Sequence, residues 1–352
     1  MTAQVEQQEP AEIARVVVGV DGSEPAQNAA LWAAEEAAAR GATLTVLHAA
    51  GVAETIAPAL GPVPDIAAGS TEGDRLIETT IALVREHHPN LPLDPQISPL
   101  SPLERLTELS GPDTLLVVGT RGHGALVGML LGSVSRALVK HTRGPLVVVR
   151  GPGAEQHHAG PVVLGIATEP GLSAAQYAFD AAQRYGVALQ AVRTRPPLPP
   201  PAAAIPGAID LPVVMPAGGG IHTGIPTEPG ADPGALLDES AEAAEHDKDL
   251  VAVAIGAARA RCPQVPVQIT CLEGDAAMTL NAAGQDASLI VLSAPRGRHH
   301  GASALSPGHI AGRLLAHSPT PVAVIPEPEP LDAHPAPAPA HEDETAETPE
   351  PA

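Results

Sequence analysis

The chain has almost no aromatic residues, with one Trp, two Tyr and one Phe among 352 residues. Ala, Val and Leu dominate instead, so any core must be built from small aliphatic side chains. Such side chains suit Val-rich strands that are covered by Ala-rich helices. The composition therefore favours a sheet with helices packed on it.

Cysteine and positive charge are also scarce. The two cysteines, Cys262 and Cys271, do not form a CxxC pair, which argues against a disulfide framework and a zinc site and fits a reducing, cytoplasmic location. Lys and Arg number 19 against 40 Asp and Glu, so the formal net charge is −21. We expect no nucleic-acid partner, because nucleic acids bind to basic surfaces.

Long apolar runs are missing as well. The first fifteen residues carry three glutamates and no apolar block, so we expect no secretory signal. No window approaches the roughly 20 apolar residues that a membrane-spanning helix needs. The sequence therefore predicts a cytoplasmic protein that does not enter a membrane.

Proline and glycine, in contrast, are abundant at 40 and 34 residues. Residues 196–233 begin with PPLPPP, and proline at that density excludes helices and central strands, so we interpret this segment as an insertion. Residues 327–352 are acidic and rich in Pro and Ala without a periodic apolar face, which predicts a disordered tail. We interpret residues 1–12 as a flexible extension.

The rest of the chain contains an internal repeat. VVVGV at 16–20 corresponds to VVLGI at 162–166, and each is followed by an Ala-rich stretch of helical period that ends at a glycine. The copies close with GPLVVV at 144–149 and TPVAVI at 320–325. The offset in residue number between equivalent positions of the two copies is larger late in the repeat than early. The proline-rich insertion, which lies within the second copy, accounts for the increase.

The apolar runs of the repeat do not alternate with polar residues. RVVVGV, TLLVVG and PLVVVR are continuous, as in strands that are buried on both faces of a parallel sheet. Strands and helices alternate through each copy. We therefore predict an α/β fold with two doubly wound domains, at residues 13–151 and 160–326. Ligands of such sheets bind beyond the carboxyl ends of the strands.

Polar residues and glycines follow two strands of the first copy. Asp21 comes directly after the first strand, where its carboxylate could accept hydrogen bonds from a ribose or a base; the alternative is an ordinary turn aspartate. Gly119 and Gly122 follow LLVVG and let backbone amides approach an oxyanion. Gly132 and Ser133 then open the helix SVSRALVKH, whose dipole favours a phosphate. The loop is a phosphate cradle without the lysine of a Walker A motif.

The motif GxxG-x9-GS that begins at Gly119, preceded by VVVGVDGS near the start of the chain, resembles the ATP-binding class of the universal stress protein family. The resemblance covers residues 14–150 and continues in weaker form over 161–326, so the whole chain resembles a tandem universal stress protein. It implies two tandem doubly wound five-stranded parallel-sheet domains of the adenine-nucleotide α-hydrolase-like fold.

The family generally pairs its domains through the last strand. Pairing of PLVVV at 145–149 with PVAVI at 321–325 would bury two sheet edges within one chain, so we predict that the two domains pair intramolecularly. Whether two chains associate further as a homodimer stays open.

Carried over position by position, the resemblance implies that the first domain binds an adenine nucleotide, ATP, with or without Mg²⁺. It implies that Asp21 contacts adenine or ribose and that the backbone of Ala49, after the second strand, lies near the adenine. The residues that it places around the ribose, the phosphates and the pocket wall are Val20, Val118, Gly119, Arg121, Gly122, Gly132, Ser133, Val134 and Ser135. For Ser133 and Ser135, helix capping is the alternative role.

The second copy departs from this pattern. Ala167 stands in the place of Asp21, and we align Leu292-Ser293 with Gly119-Thr120. His309 stands where a Ser or Thr is expected. We therefore expect the second copy to be structural or regulatory and not to bind a nucleotide in the same way.

Three functions fit these features. The first is a cytoplasmic protein of stress response or signalling that binds ATP in its first domain. The second is slow Mg²⁺-dependent ATP hydrolysis or phosphoryl transfer, which needs a metal, an oriented nucleophile and charge stabilisation besides a phosphate cradle. The third is a nucleotide-independent adaptor that binds partners through the proline-rich insertion and the acidic tail. We identify no catalytic residue and no metal ligands, since the paired histidines are poor chelators.

Overall fold

The computed structural model describes residues 12–49, 72–120, 131–151, 160–166, 171–195, 233–295 and 307–327, with the side chains of 245–294 and 310–327 in the last two ranges. Nearly all of the predicted N-terminal extension, the proline-rich insertion and the acidic tail lie outside the described residues.

Ten strands form one continuous sheet in the order β3-β2-β1-β4-β5-β10-β9-β6-β7-β8. The strands of the first half are Arg15–Gly19 (β1), Thr43–Ala49 (β2), Leu93–Ser98 (β3), Thr114–Gly119 (β4) and Leu146–Val149 (β5). Those of the second half are Val162–Ile166 (β6), Leu189–Arg195 (β7), Val267–Glu273 (β8), Leu289–Pro295 (β9) and Val322–Glu327 (β10). Each half has five parallel strands in the same order, so the predicted tandem fold is confirmed.

Helices cover both faces of this sheet. The described helices are Glu24–Arg40 (α1), Glu72–His87 (α2), Pro102–Leu109 (α3), Ser133–His141 (α4), Leu172–Tyr185 (α5), Pro233–Arg261 (α6), Ala276–Ala283 (α7) and Pro307–His317 (α8). The core on one face contains residues of α1, α2, α5 and α6, and the core on the other contains residues of α3, α4, α7 and α8. In the ranges that the structure describes, no helix has the length and apolar character needed to cross a membrane.

Local sequence signals set the ends of the equivalent helices α1 and α5. The Ser23 hydroxyl caps α1 by accepting the Ala26 amide, with Pro25 in the first turn. The helix therefore begins at Glu24. Gly41 and Gly186 end α1 and α5 with φ of 65° and 68°, a left-handed conformation that glycine adopts without strain.

The continuous apolar runs are buried on both sides of the sheet. Val16, Val17 and Val18 of β1 are fully buried, and Val16 and Val18 belong to one core while Val17 belongs to the other. Alanines of α1 lie close against the first of these cores, together with Trp32. A strand that is apolar at every position thus follows from a sheet with helices on both faces.

The two halves meet where β5 and β10 pair antiparallel, the only antiparallel pair among the described strands. Val148 faces Val322, and Leu146 faces Val324. The predicted intramolecular pairing of the closing strands is present. Because the strands of the two halves run in opposite directions, their carboxyl ends lie at opposite edges of the common sheet.

A buried charged cluster joins the halves beside this strand pair. Glu36 of α1 is 2% exposed, and it accepts hydrogen bonds from Arg40 at 2.9 Å, from Arg184 of α5 at 3.3 Å and from the Tyr185 hydroxyl. Burial alone would raise the pKa of Glu36, but the two guanidinium charges and the phenol hydrogen bond outweigh it and hold the pKa below its ordinary value.

We expect Glu36→Ala to lower the free energy of unfolding at pH 7 by about 3–5 kcal/mol, because it leaves two buried guanidinium groups without their carboxylate. The contribution of Glu36 is present above its ordinary pKa of 4.5 and is lost as the pH falls through the lower folded pKa. The difference between wild type and variant should therefore shrink in acid. Urea unfolding at several pH values measures it.

The matched control is Glu108→Ala, which removes a carboxylate from an exposed pair with Arg105. That pair should contribute less than about 1 kcal/mol. Equal losses in both variants, or a Glu36→Ala loss that does not change with pH, would contradict the electrostatic account of the cluster.

Candidate functional site at the carboxyl edge of the first half

The chain turns sharply where β1 ends. The Val20 amide donates to the Leu47 carbonyl at 2.8 Å, and the Asp21 carboxylate accepts the Ser23 amide at 3.1 Å and the Ser23 hydroxyl at 2.6 Å. Gly22 has a φ of 81°. This turn holds Asp21, half-buried, at the carboxyl end of β1. The turn role given above as the alternative is therefore present, and contact with a ligand stays a prediction.

A histidine ties the end of β2 to the end of β1. The Nδ1 atom of His48 lies 3.0 Å from the Val20 carbonyl oxygen, and it carries the proton in this bond because a carbonyl only accepts. The imidazole is buried against the first turn of α2, where a Cβ on Gly73 would lie 3.0 Å from the ring. His48 thus fixes the strand end that carries Ala49, which is half-buried.

Sequence reasoning missed His48. The available signal was a histidine directly before Ala49 at the carboxyl end of a buried strand. Its hydrogen bond to a residue 28 positions away depends on strand pairing and leaves no local pattern.

The end of β4 comes into very close contact with the start of α1. A Cβ atom on Gly119 would lie 2.7 Å from the carbonyl carbon and oxygen of Pro25 and 3.0 Å from the Ala26 nitrogen. Only glycine leaves room for this crossing of backbones. The motif glycine at 119 therefore has a packing role at the site.

Three hydrogen bonds fix the two ends of the loop between β4 and α4. The Gly132 amide donates to the Thr120 carbonyl at 2.7 Å, and the Thr120 amide donates to the Val149 carbonyl at 3.1 Å. The buried Ser135 hydroxyl donates to the Gly119 carbonyl at 2.8 Å. Ser135 thus ties the first turn of α4 to the end of β4. Arg121 and Gly122 lie outside the described residues.

The N-terminus of α4 opens onto the same edge. Gly132 is its N-cap residue, and no side chain of the described residues caps it. Ser133 is the first helical residue and is exposed, while Val134 packs partly against the core. Capping, the alternative role for Ser133, is therefore not its role here. First-turn amides that lack a side-chain cap favour an anion.

Val20 and Val118 do not come together. Both are buried, but Val20 belongs to the core beneath α1 and Val118 to the core on the opposite face of the sheet. The two valines lie near the carboxyl edge on opposite faces of the sheet. The edge itself brings together Asp21, the backbone at Gly119 and the N-terminus of α4.

The second half has the same close contact between the end of its fourth strand and the start of its first helix, but different residues form it. In the register of the sheet, Gly119 pairs with Val149 and Ser293 pairs with Ile325, and these partners are equivalent residues of the closing strands. Ser293 therefore occupies the place of Gly119, and the alignment of Leu292-Ser293 with Gly119-Thr120 was wrong by one residue. At this crossing in the second half, the glycine belongs to the start of the helix and not to the strand. A Cβ on Gly171 would lie 2.6 Å from the Ser293 Cβ.

A polar cavity of about 450 Å³ lies at the opposite, amino edge of the first half, and its lining includes Arg15, Thr45, Asp94 and Gln96. Asp94 accepts hydrogen bonds from Thr45 at 3.1 Å and from Gln96 at 2.7 Å. These groups satisfy one another, and the cavity lies at the end of the sheet away from Asp21 and Gly119. The carboxyl edge remains the candidate site.

We expect Gly119→Ala to destabilise the protein by about 1–3 kcal/mol, because its Cβ would overlap backbone atoms that cannot rotate away. Gly256→Ala serves as the control, since Gly256 lies exposed in α6 with no atom within 4 Å of a built Cβ. That control should gain about 0.5–1 kcal/mol from helix propensity. Unfolding in urea measures both, and a neutral Gly119→Ala would contradict the crossing described here.

Comparison with known proteins identifies a family for the first half of the chain. Residues 12–150 match the family model described as universal stress protein family. A universal stress protein of Mycobacterium tuberculosis is 36% identical over 186 residues, which are 50% of this chain and 62% of the relative. One of Mycolicibacterium smegmatis is 35% identical over 184 residues, with the same two shares. The match thus spans less than two thirds of these relatives.

Structural likeness extends over both halves. The crystal structure of a universal stress protein from Archaeoglobus fulgidus superposes with a TM-score of 0.51 at 15% identity and covers 90% of this chain and 97% of its own. At that identity the likeness concerns the fold. The first half of the chain, residues 12–150, is thus a domain of the universal stress protein family, and the second half repeats its strand order.

Proposed function

We propose that this protein binds ATP at the carboxyl edge of its first half and acts as a nucleotide-binding protein in a stress response. The observation that carries the proposal is the N-terminus of α4 beside Gly119, which no side chain in the described ranges caps. Hydrogen bonds of the backbone and of the Ser135 hydroxyl fix both ends of the loop between β4 and α4. A helix N-terminus next to a glycine at a strand end suits a phosphate group.

In this proposal the nucleoside lies toward β1 and β2. The Asp21 carboxylate is held at the strand end by Ser23, and a carboxylate is the acceptor that a ribose hydroxyl or an adenine amine requires. His48 fixes the backbone at Ala49, where the adenine would pack. Arg121, Gly122, Ser133 and Val134 would complete the phosphate side, and any Mg²⁺ would arrive with the nucleotide.

The second half has a structural or regulatory role in this proposal. It contributes β10 and α5, which bury the free edge of β5 and pair with Glu36. We assign the nucleotide-binding domain to residues 13–151 and the second domain to residues 160–326. The acidic chain with two free cysteines suits the cytoplasm.

Calorimetric titration with ATP tests the proposal, and we expect one ATP per chain. Asp21→Ala should weaken binding by roughly 10- to 100-fold, the range for a lost hydrogen bond to a charged group. Asp113→Ala, at the opposite edge of the same half, should bind as the wild type does. Each variant is titrated with and without Mg²⁺.

Two results would contradict the proposal. Absence of ATP binding by the folded wild type would remove the nucleotide function altogether. Two ATP per chain would show that the second half is a binding domain and not a structural one. Steady release of phosphate that needs Mg²⁺ and disappears in Asp21→Ala would instead favour the enzymatic alternative.

A further inference from the structure

The second half carries a carboxylate at its own carboxyl edge. Glu327 is the last residue of β10 and is half-buried. Its Oε2 accepts the Ser173 amide at 3.1 Å, and its Oε1 accepts the Ala174 amide at 3.0 Å. Both amides belong to the first turn of α5, so one carboxylate binds the N-terminus of this helix with both of its oxygens.

Helix α5 depends on this external group. Its N-cap residue is Gly171, which has no side chain to offer. A Cβ at this position would lie 2.7 Å from the Glu327 Oε1, so glycine also makes the space that the carboxylate occupies. In the first half, Ser23 caps the equivalent helix α1 from within the same turn.

Among the described residues of the first half, the equivalent position carries no carboxylate. Val149 and Ile325 are equivalent residues of the closing strands, so the position of Glu327 corresponds to Gly151. Gly151 has a φ of 77° and turns the chain away after β5. The two halves therefore place their carboxylates differently, with Asp21 after β1 in the first half and Glu327 on the N-terminus of α5 in the second.

We propose that Glu327 determines ligand specificity between the halves, by placing an intramolecular anion at the carboxyl edge of the second half. The carboxylate satisfies the α5 N-terminus and lies beside Ser293, the counterpart of Gly119. It opposes the approach of an anionic ligand by like-charge repulsion and by compensating the helix dipole. A nucleotide phosphate is thereby restricted to the first half. This inference rests on the proposed function.

One experiment counts bound ATP per chain by equilibrium dialysis at saturating ATP in wild type, Glu327→Gln, Glu327→Ala and Glu245→Ala. Glu327→Gln removes the charge and keeps the shape. Glu245→Ala removes the same charge from an exposed pair with Lys248. We expect one ATP for wild type and Glu245→Ala, and a second, weaker ATP for both Glu327 variants. One ATP per chain in all four folded proteins overturns the proposal.

A second measurement does not depend on nucleotide. We expect Glu327→Ala to lose about 2–4 °C in Tm through the lost cap, and acetate to restore part of this loss relative to chloride at equal ionic strength. Wild type and Glu245→Ala should show no such difference. An unchanged Tm, or the same acetate response in all proteins, overturns the assignment of Glu327 as an internal anion.

The two measurements separate the inference from the function on which it rests. If wild type binds no ATP, the proposed function fails, and the acetate response alone decides whether Glu327 acts as an internal anion. If wild type binds one ATP, the stoichiometry of the Glu327 variants decides whether that anion also sets specificity.

Discussion

The antiparallel pairing of β5 with β10 is the interaction on which the rest of the structure depends. A parallel five-stranded sheet ends in a strand with unpaired backbone groups, and an exposed strand edge invites association. Here each half covers the last strand of the other. The pairing also brings α1 against α5, so that the buried Glu36 carboxylate can meet Arg184. It also places the carboxyl ends of the two halves at opposite edges of the common sheet, so the residues at each edge can change independently.

The two halves show how one backbone geometry can carry different chemistry. Both require the first helix to cross closely over the end of the fourth strand, and both place a glycine at that crossing. The first half puts the glycine on the strand, at Gly119, and leaves the helix to cap itself with Ser23. The second puts it on the helix, at Gly171, and caps the helix with Glu327 from another strand. The change preserves the packing and places the carboxylate of Glu327 on the N-terminus of α5.

Much of this fold could be predicted from local sequence patterns. Continuous valine runs, the repeat of VVVGV in VVLGI and the glycines that end α1 and α5 each reflect short-range physics, namely burial on both faces and the left-handed conformation at a helix end. The pairing of the closing strands was implied by the family resemblance, and it agrees with the cost of an open edge.

Parts of the site could not be predicted because their partners are distant in sequence. Glu36 finds Arg184 at a separation of 148 residues, and Glu327 finds Ala174 at a separation of 153. The hydrogen bond of His48 crosses between strands, and Ser135 turns its hydroxyl beneath the loop toward Gly119. The placement of Ser293 was wrong by one residue because an apolar run gives no mark of register, which only the paired strands supply.

We propose that a single nucleotide site lies at the carboxyl edge of the first half. Photolabelling with azido-ATP, followed by proteolysis and mass spectrometry, tests it most directly. We expect labelled peptides from residues 12–150 alone, and we expect unmodified ATP to prevent the labelling. Label that ATP displaces from peptides of the second half, or label that ATP does not displace at all, would contradict it.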